Sequence, residues 1–216
     1  MNSKVDDAVA RLNSILPLRA RQETLSAEVA ALYLKILKSY VDRGRSMTRA
    51  EMAEYVDDVE AAINILRSND MVVFDESGEP TGAYPFTMEV REHQVQVNNQ
   101  TVHAMCALDA LAISPMFNIE THIDSRCHVS GDRISIDQLD QSVLNIEDNR
   151  DVYFGISWSA ASSCCSCSSS LCTEMIFLKG QQVAEQWLAE DAENREIFTL
   201  DEAIAFATGF FSPLVS

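Results

Sequence analysis

Cys106 and Asp109, in the run Cys106-Ala107-Leu108-Asp109, put a thiol and a carboxyl group three residues apart. If Cys106 to Ile113 is helical, as its alanines and leucines predict, the two groups share a face about one turn apart. A sulfur that holds a soft electrophile would then have a proton donor or acceptor beside it. The same spacing also suits a buried cysteine near a capped or solvated aspartate, so the pair alone does not choose between chemistry and packing.

A second concentration of sulfur lies in SSCCSCSSSLC, Ser162 to Cys172, which holds Cys164, Cys165, Cys167 and Cys172. Cys127, in DSRCHVSGD, completes the set of six. A structural zinc site wants two well-separated cysteine pairs, and the CC, CxC and CxxxxC spacings here do not supply them. Thiolates nevertheless favour soft ions such as Cu(I) or Hg(II) over magnesium or calcium. The plainer reading of Cys164, Cys165 and Cys167 is a loop whose thiols bind nothing in particular. His103, His122 and His128 flank cysteine segments in no ligand spacing and read as surface or hydrogen-bonded histidines.

These residues need a scaffold, and 216 residues with 47% hydrophobic content can bury a substantial core. No run approaches the roughly 20 apolar residues of a membrane-spanning helix, and the opening MNSKVDDAVARLNSIL is charged and amphipathic, unlike a secretory signal. The expectation is a cytoplasmic protein with no membrane partner, where clustered thiols stay reduced. The 33 acidic and 16 basic residues give a net charge of −17, which repels phosphate backbones and makes nucleic acid a poor partner. Residues 1–80 carry 14 acidic and 10 basic side chains, leaving 19 and 6 for residues 81–216, a shift that hints at two parts.

Helical spacing appears around Val5–Leu16 and in LSAEVAALYLKILKSY from Leu25 to Tyr40. Thr48 can cap RAEMAEYV, with Glu51 returning the bond as a capping box. Asp57 opens a further helix, and MVVFDESGEPTGAYPFTMEV reads as two short strands around a turn. Helix, turn, helix and wing predict a winged-helix-like unit over residues 1–90. Its second helix offers Arg67 against Asp57, Asp58, Glu60 and Asp70, the wrong sign for DNA. From Val95 the texture becomes strand-like (VQVNNQTVHAM, NIETHID, RISID, DVYFGISW, EMIFLK, EIFTL), with amphipathic VAEQWLAEDAEN and LDEAIAFATGFF each following a strand. The fold class predicted is α+β: the helical unit, then a mixed β-sheet core with flanking helices over residues 91–216, carrying a Cys/Ser-rich insertion at about 159–171.

The order of these pieces resembles the alkylmercury (organomercurial) lyases. Val102-His103-Ala104-Met105-Cys106-Ala107-Leu108-Asp109-Ala110-Leu111 is similar to the family's Leu-Tyr-Ala-Trp-Cys-Ala-Leu-Asp-Thr-Leu, and Gly82-Ala83-Tyr84-Pro85-Phe86-Thr87 to a Gly-Tyr-Gly-Leu-Thr segment. Ser125-Arg126-Cys127 is similar to a Ser-x-Cys in a structural position. In the family a cysteine opens a strand ahead of a helix tryptophan, and Cys172 stands fifteen residues before Trp187. Departures are Met105 for a tryptophan, Thr173 for a second cysteine, and Glu174 and Met175 for a histidine-bearing stretch.

The resemblance implies cleavage of a carbon–mercury bond by protonolysis. Cys106 and Cys172 would bind the mercury of R–Hg⁺ with Asp109 in the metal-ligand set, and Asp109 would take a thiol proton and deliver it to carbon. The products would be R–H and Hg(II) held by two sulfurs, with no cofactor required. Cys127 would be structural. Cys164, Cys165 and Cys167, in the insertion, would be accessory metal ligands that collect mercury or pass it to low-molecular-weight thiols or a mercuric reductase. The alternative is a non-enzymatic cytoplasmic thiol-based heavy-metal or metalloid binding protein on the same fold; a metal-responsive regulator is disfavoured by the charge.

Overall fold

A computed structural model describes residues 3–160 and 170–216. Cys164, Cys165 and Cys167 therefore lie outside the described residues. The chain begins with α1 (Ser3–Ile15), α2 (Leu18–Glu23), α3 (Ala27–Arg43), α4 (Arg49–Met52) and α5 (Val59–Ser68). Ser26 caps α3 by accepting from the Val29 N–H, and Gly44, at φ 69°, ends it in the left-handed conformation that glycine adopts without strain. The Thr48–Glu51 capping box is present, but α4 stops at Met52, shorter than RAEMAEYV suggests. Asp58 rather than Asp57 caps α5, because its carboxylate reaches the Ala61 N–H.

Eight strands then build one antiparallel sheet: β1 (Val72–Phe74), β2 (Pro80–Ala83), β3 (Phe86–Thr87), β4 (Gln94–Val97), β5 (Gln100–Ala104), β6 (Glu120–Arg126), β7 (Arg133–Leu139) and β8 (Ser142–Val143), in the order β1-β2-β3-β5-β4-β6-β7-β8. The wing-like pair β1–β2 is thus the edge of this larger sheet. The single run VQVNNQTVHAM is a hairpin, with Asn98 and Asn99 both at positive φ in its two-residue turn. Between β5 and β6 runs α6 (Ala107–Phe117).

A second sheet, β10-β9-β11, is formed by β9 (Val152–Ser157), β10 (Met175–Lys179) and β11 (Arg195–Thr199). The helix α7 (Gln181–Glu190) follows β10, and α8 (Leu200–Phe211) follows β11 behind a second capping box, Thr199–Glu202. Period-two alternation sorts β10 cleanly. Met175 and Phe177 face the main core, while Ile176 and Leu178 join Ala184 and Trp187 in a smaller cluster. The ring of Trp187 lies against Gly155 so closely that a Cβ there would approach it to 2.9 Å.

The helix α6 is apolar all round and almost wholly buried, as expected of a helix enclosed by other elements. It packs against α8, β5, β6, β7 and β10. The first helix also reaches this core: α1 lies against α8, with Lys4 paired to Glu202. Nearby, Trp158 sits in a short 3-10 turn (Trp158–Ala160) against a second one (Leu171–Glu174), its ring beneath the Arg11 guanidinium at 4.4 Å. The α+β class holds. Among the described residues, no helix is long and apolar enough to cross a membrane.

Candidate active site

Strand β5 delivers the chain directly to the chemistry. Met105 donates its N–H to the Pro85 carbonyl, and the next residue, Cys106, is the N-cap of α6. Cys106 is therefore not inside the helix as the spacing suggests; its backbone is extended and its sulfur accepts the Asp109 N–H at 3.4 Å. The first turn of a helix leaves N–H groups without internal partners, and a cysteine Sγ here takes the place usually held by a serine or aspartate oxygen. Asp109 occupies the third helical position, and the Cys106 thiol donates back to Asp109 Oδ2 at 2.8 Å. The CxxD spacing is thus a reciprocal cap built from sulfur and carboxylate.

Cys172 comes from the other side of the core. The strand it was expected to open begins at Met175, and Cys172 lies in the 3-10 turn Leu171–Glu174. That turn buries Leu171 and Cys172 together before the chain enters β10. Cys106, Asp109 and Cys172 each offer one ligand atom, and these atoms lie within 4.8 Å of one another. Among the described residues they form the group of His, Cys, Asp and Glu side chains able to share an ion. An ion midway between the sulfurs would lie no more than about 2.4 Å from each, against about 2.3 Å in zinc–thiolate sites.

The site is dry: Cys106 and Asp109 are each 1% exposed and Cys172 is 4% exposed. Burial raises the Asp109 carboxyl to about 7, against the pull of Cys106 and Arg91 toward the ionised form. Burial likewise pushes the Cys106 thiol up to about 12; an interaction with Cys172 and the Asp109 N–H pull it down, while the Asp109 carboxylate adds to the rise. The resting site therefore keeps a protonated Cys106 beside a carboxyl group balanced between its two forms near neutral pH.

Two neighbours were not read from the sequence. Met175 Sδ is 3.8 Å from Cys106 Sγ. Arg91 donates to the Met105 carbonyl at 3.1 Å, just ahead of Cys106, and pairs with Glu89. Arg91, Met105, Gly82 and Thr87 help line a cavity of about 30 Å³, roughly the share of one water molecule. The β10 alternation could have placed Met175 on the Phe177 face, whereas nothing in the sequence ties Arg91 to residues 105–109.

Cys127 stands apart from the cluster. It is buried, and its sulfur accepts the N–H groups of Ser130 and Lys179 at 3.4 and 3.3 Å, joining the β6–β7 turn to the end of β10. Burial raises its pKa, but hydrogen bonds from Ser130, Lys179 and Val129 outweigh that and leave it below the usual thiol value. His122 contacts Asp124 and Asp137, and His103 contacts the Arg91 backbone, so both are hydrogen-bonded histidines.

The family model described as MerB, alkylmercury lyase, matches residues 86–212. Alkylmercury lyases from Staphylococcus epidermidis and Bacillus cereus are each 27% identical over 145 and 146 residues, covering 67% of this chain and 64% and 65% of theirs. The match thus spans somewhat less than two thirds of those relatives. One from Streptomyces lividans is 24% identical over 149 residues, covering 68% of this chain and 67% of its own. A crystal structure of the mercury-bound form of MerB2 shares the fold, with a TM-score of 0.73 at 18% identity over 99% of this chain and 100% of that one. With 127 of its residues matched by the family model, and a sulfur–carboxyl–sulfur cluster at the heart of that stretch, the chain belongs to the alkylmercury lyase family.

Proposed function

We propose that this protein cleaves the carbon–mercury bond of an organomercurial R–Hg⁺ by protonolysis, giving R–H and Hg(II), with Cys106, Cys172 and Asp109 as the catalytic residues. The observation that carries this reading is the convergence of two buried sulfurs and a carboxyl group within 4.8 Å. One sulfur coordinates mercury and passes its proton to Asp109. The second sulfur then joins, electron density moves onto the metal, and the bond to carbon weakens. Asp109 delivers the proton to the departing carbon. One of the two thiol protons ends on R–H and the other leaves to solvent, while Hg(II) remains on two thiolates.

The carboxyl group suits both halves of this transfer, because a pKa of about 7 lets it accept and donate near neutral pH. The three side chains supply the ligands and the proton, so the step calls on no organic cofactor. A site this dry also strengthens the charge interactions made within it. Cys127 serves as a structural acceptor. We place the reaction in the cytoplasm, with Cys164, Cys165 and Cys167 as accessory thiols and low-molecular-weight thiols or a mercuric reductase as receivers of the ion. A carboxyl group 2.8 Å from a ligand sulfur supplies the proton transfer that cleavage requires, and the binder reading is not favoured.

The test is gas release. Methylmercury or phenylmercury incubated with the protein and excess thiol should give methane or benzene in the headspace. Tight mercury binding with no hydrocarbon would return the protein to the class of binders.

A further inference from the structure

Among the described residues, the thioether of Met175 is a side-chain neighbour of the Cys106 sulfur that the mechanism above leaves unused. Its Sδ approaches Cys106 Sγ to 3.8 Å, and the residue is 3% exposed. The Cys106 thiol has a single proton, and the shorter contact at 2.8 Å gives that proton to Asp109. With that proton engaged by Asp109, the lone pairs of Met175 Sδ stand beside the sulfur on which a soft ion would sit. The backbone holds it there: Met175 pairs with Ile156 at the start of β10, and alternation along the strand turns it, with Phe177, toward the core that contains α6.

We propose that Met175 Sδ is a third sulfur donor to mercury held by Cys106 and Cys172, a role that rests on the two-thiolate reading given above. A thioether is soft, polarizable and neutral. It adds electron density to the metal and so loosens the bond to carbon without bringing another negative charge into a buried site that already holds two thiolates and an acid. It needs no deprotonation, gives and takes no proton, and leaves the balance of the reaction unchanged. A weak third donor also keeps the product ion exchangeable, since external thiols can displace it before the stronger thiolates let go.

The experiment uses the full chain with Cys164, Cys165 and Cys167 changed to serine, grown with selenomethionine and loaded with one equivalent of Hg(II). X-ray absorption at the mercury edge should show two short sulfur neighbours and one longer selenium neighbour. In Met175→Leu, a nearly volume-conserving change, the selenium neighbour should vanish while both sulfurs remain, and benzene release from phenylmercury in the otherwise native chain should slow by about tenfold. Two sulfurs with no selenium would overturn the role of Met175 and leave the two-thiolate site standing. A mercury environment unchanged in Cys106→Ser and Cys172→Ser would remove the two-thiolate site and this proposal with it.

Discussion

The two sulfurs of the candidate site are held in very different ways. Cys106 caps a helix enclosed by α8 and by strands of both sheets, and both its sulfur and its backbone belong to the cap. Cys172 sits in a four-residue 3-10 turn held in part by a local backbone bond from the Thr173 N–H to the Ser170 carbonyl. One half is over-determined by packing, and the other depends on where a strand happens to begin. In the proposed reaction the acid that hands a proton to a bound group has to be placed accurately, and Asp109 stands on the rigid half. The second ligand only has to arrive, which a turn permits.

Removing either sulfur should have the largest effect. Cys106→Ser and Cys172→Ser should both reduce organomercurial turnover to background, as read by headspace gas. Their stabilities should part: serine is a strong N-cap, so Cys106→Ser should melt at or above the native temperature. A large loss of stability in Cys106→Ser would mean that the sulfur does more for α6 than cap it.

Asp109→Asn should lower turnover by about 10²–10⁴-fold and erase an inflection near pH 7 in kcat/KM, below which the native rate falls because the carboxyl group can no longer accept the thiol proton. Stability carries the same signature. The folded value of about 7 lies above the unfolded value of about 4, so Asp109 favours folding fully below the unfolded value. That contribution is lost as pH rises through the folded one. Denaturant titrations at pH 5 and pH 8 should show a drop between them, at most about 3 kcal/mol, that shrinks in Asp109→Asn. An unchanged drop would assign it to another group.

Next in size is packing. Leu111→Ala, at a fully buried position of α6, should cost about 2–5 kcal/mol. Hydrogen exchange sharpens the contrast, because α6 amides should exchange only through global unfolding while those of Leu171–Glu174 open locally at lower free energy. Equal protection would show that the turn is as cooperative as the helix. The smallest effect belongs to Cys127→Ser, where a hydroxyl can accept the same N–H groups. Stability should fall by about 1 kcal/mol, with turnover held.

What could be read in advance follows the same division. Cys106 and Asp109 were legible as a pair because their partnership is local, although the cap geometry inverted the expected arrangement, with Cys106 outside the helix. Cys172 was legible only through its distance from Trp187 in a resemblance, because nothing local joins it to a residue 66 positions earlier. Met175 was hidden because methionine in an apolar strand looks like filling. Arg91 acts through the carbonyl of Met105, a contact made by chain reversal between β4 and β5. The hairpin at Asn98-Asn99 could have been found from its turn residues, and the second capping box from Thr199 and Glu202.

The position of Trp158 gives the molecule its own optical sensor. The 3-10 turn that carries Trp158 packs against the one that carries Cys172, so a heavy atom bound at Cys172 should open a spin–orbit decay route and dim the emission of Trp158. Trp187, on the opposite side of β10, would keep shining. Arrival and departure of the metal could then be followed in real time on unlabelled protein, with one indole as signal and the other as reference.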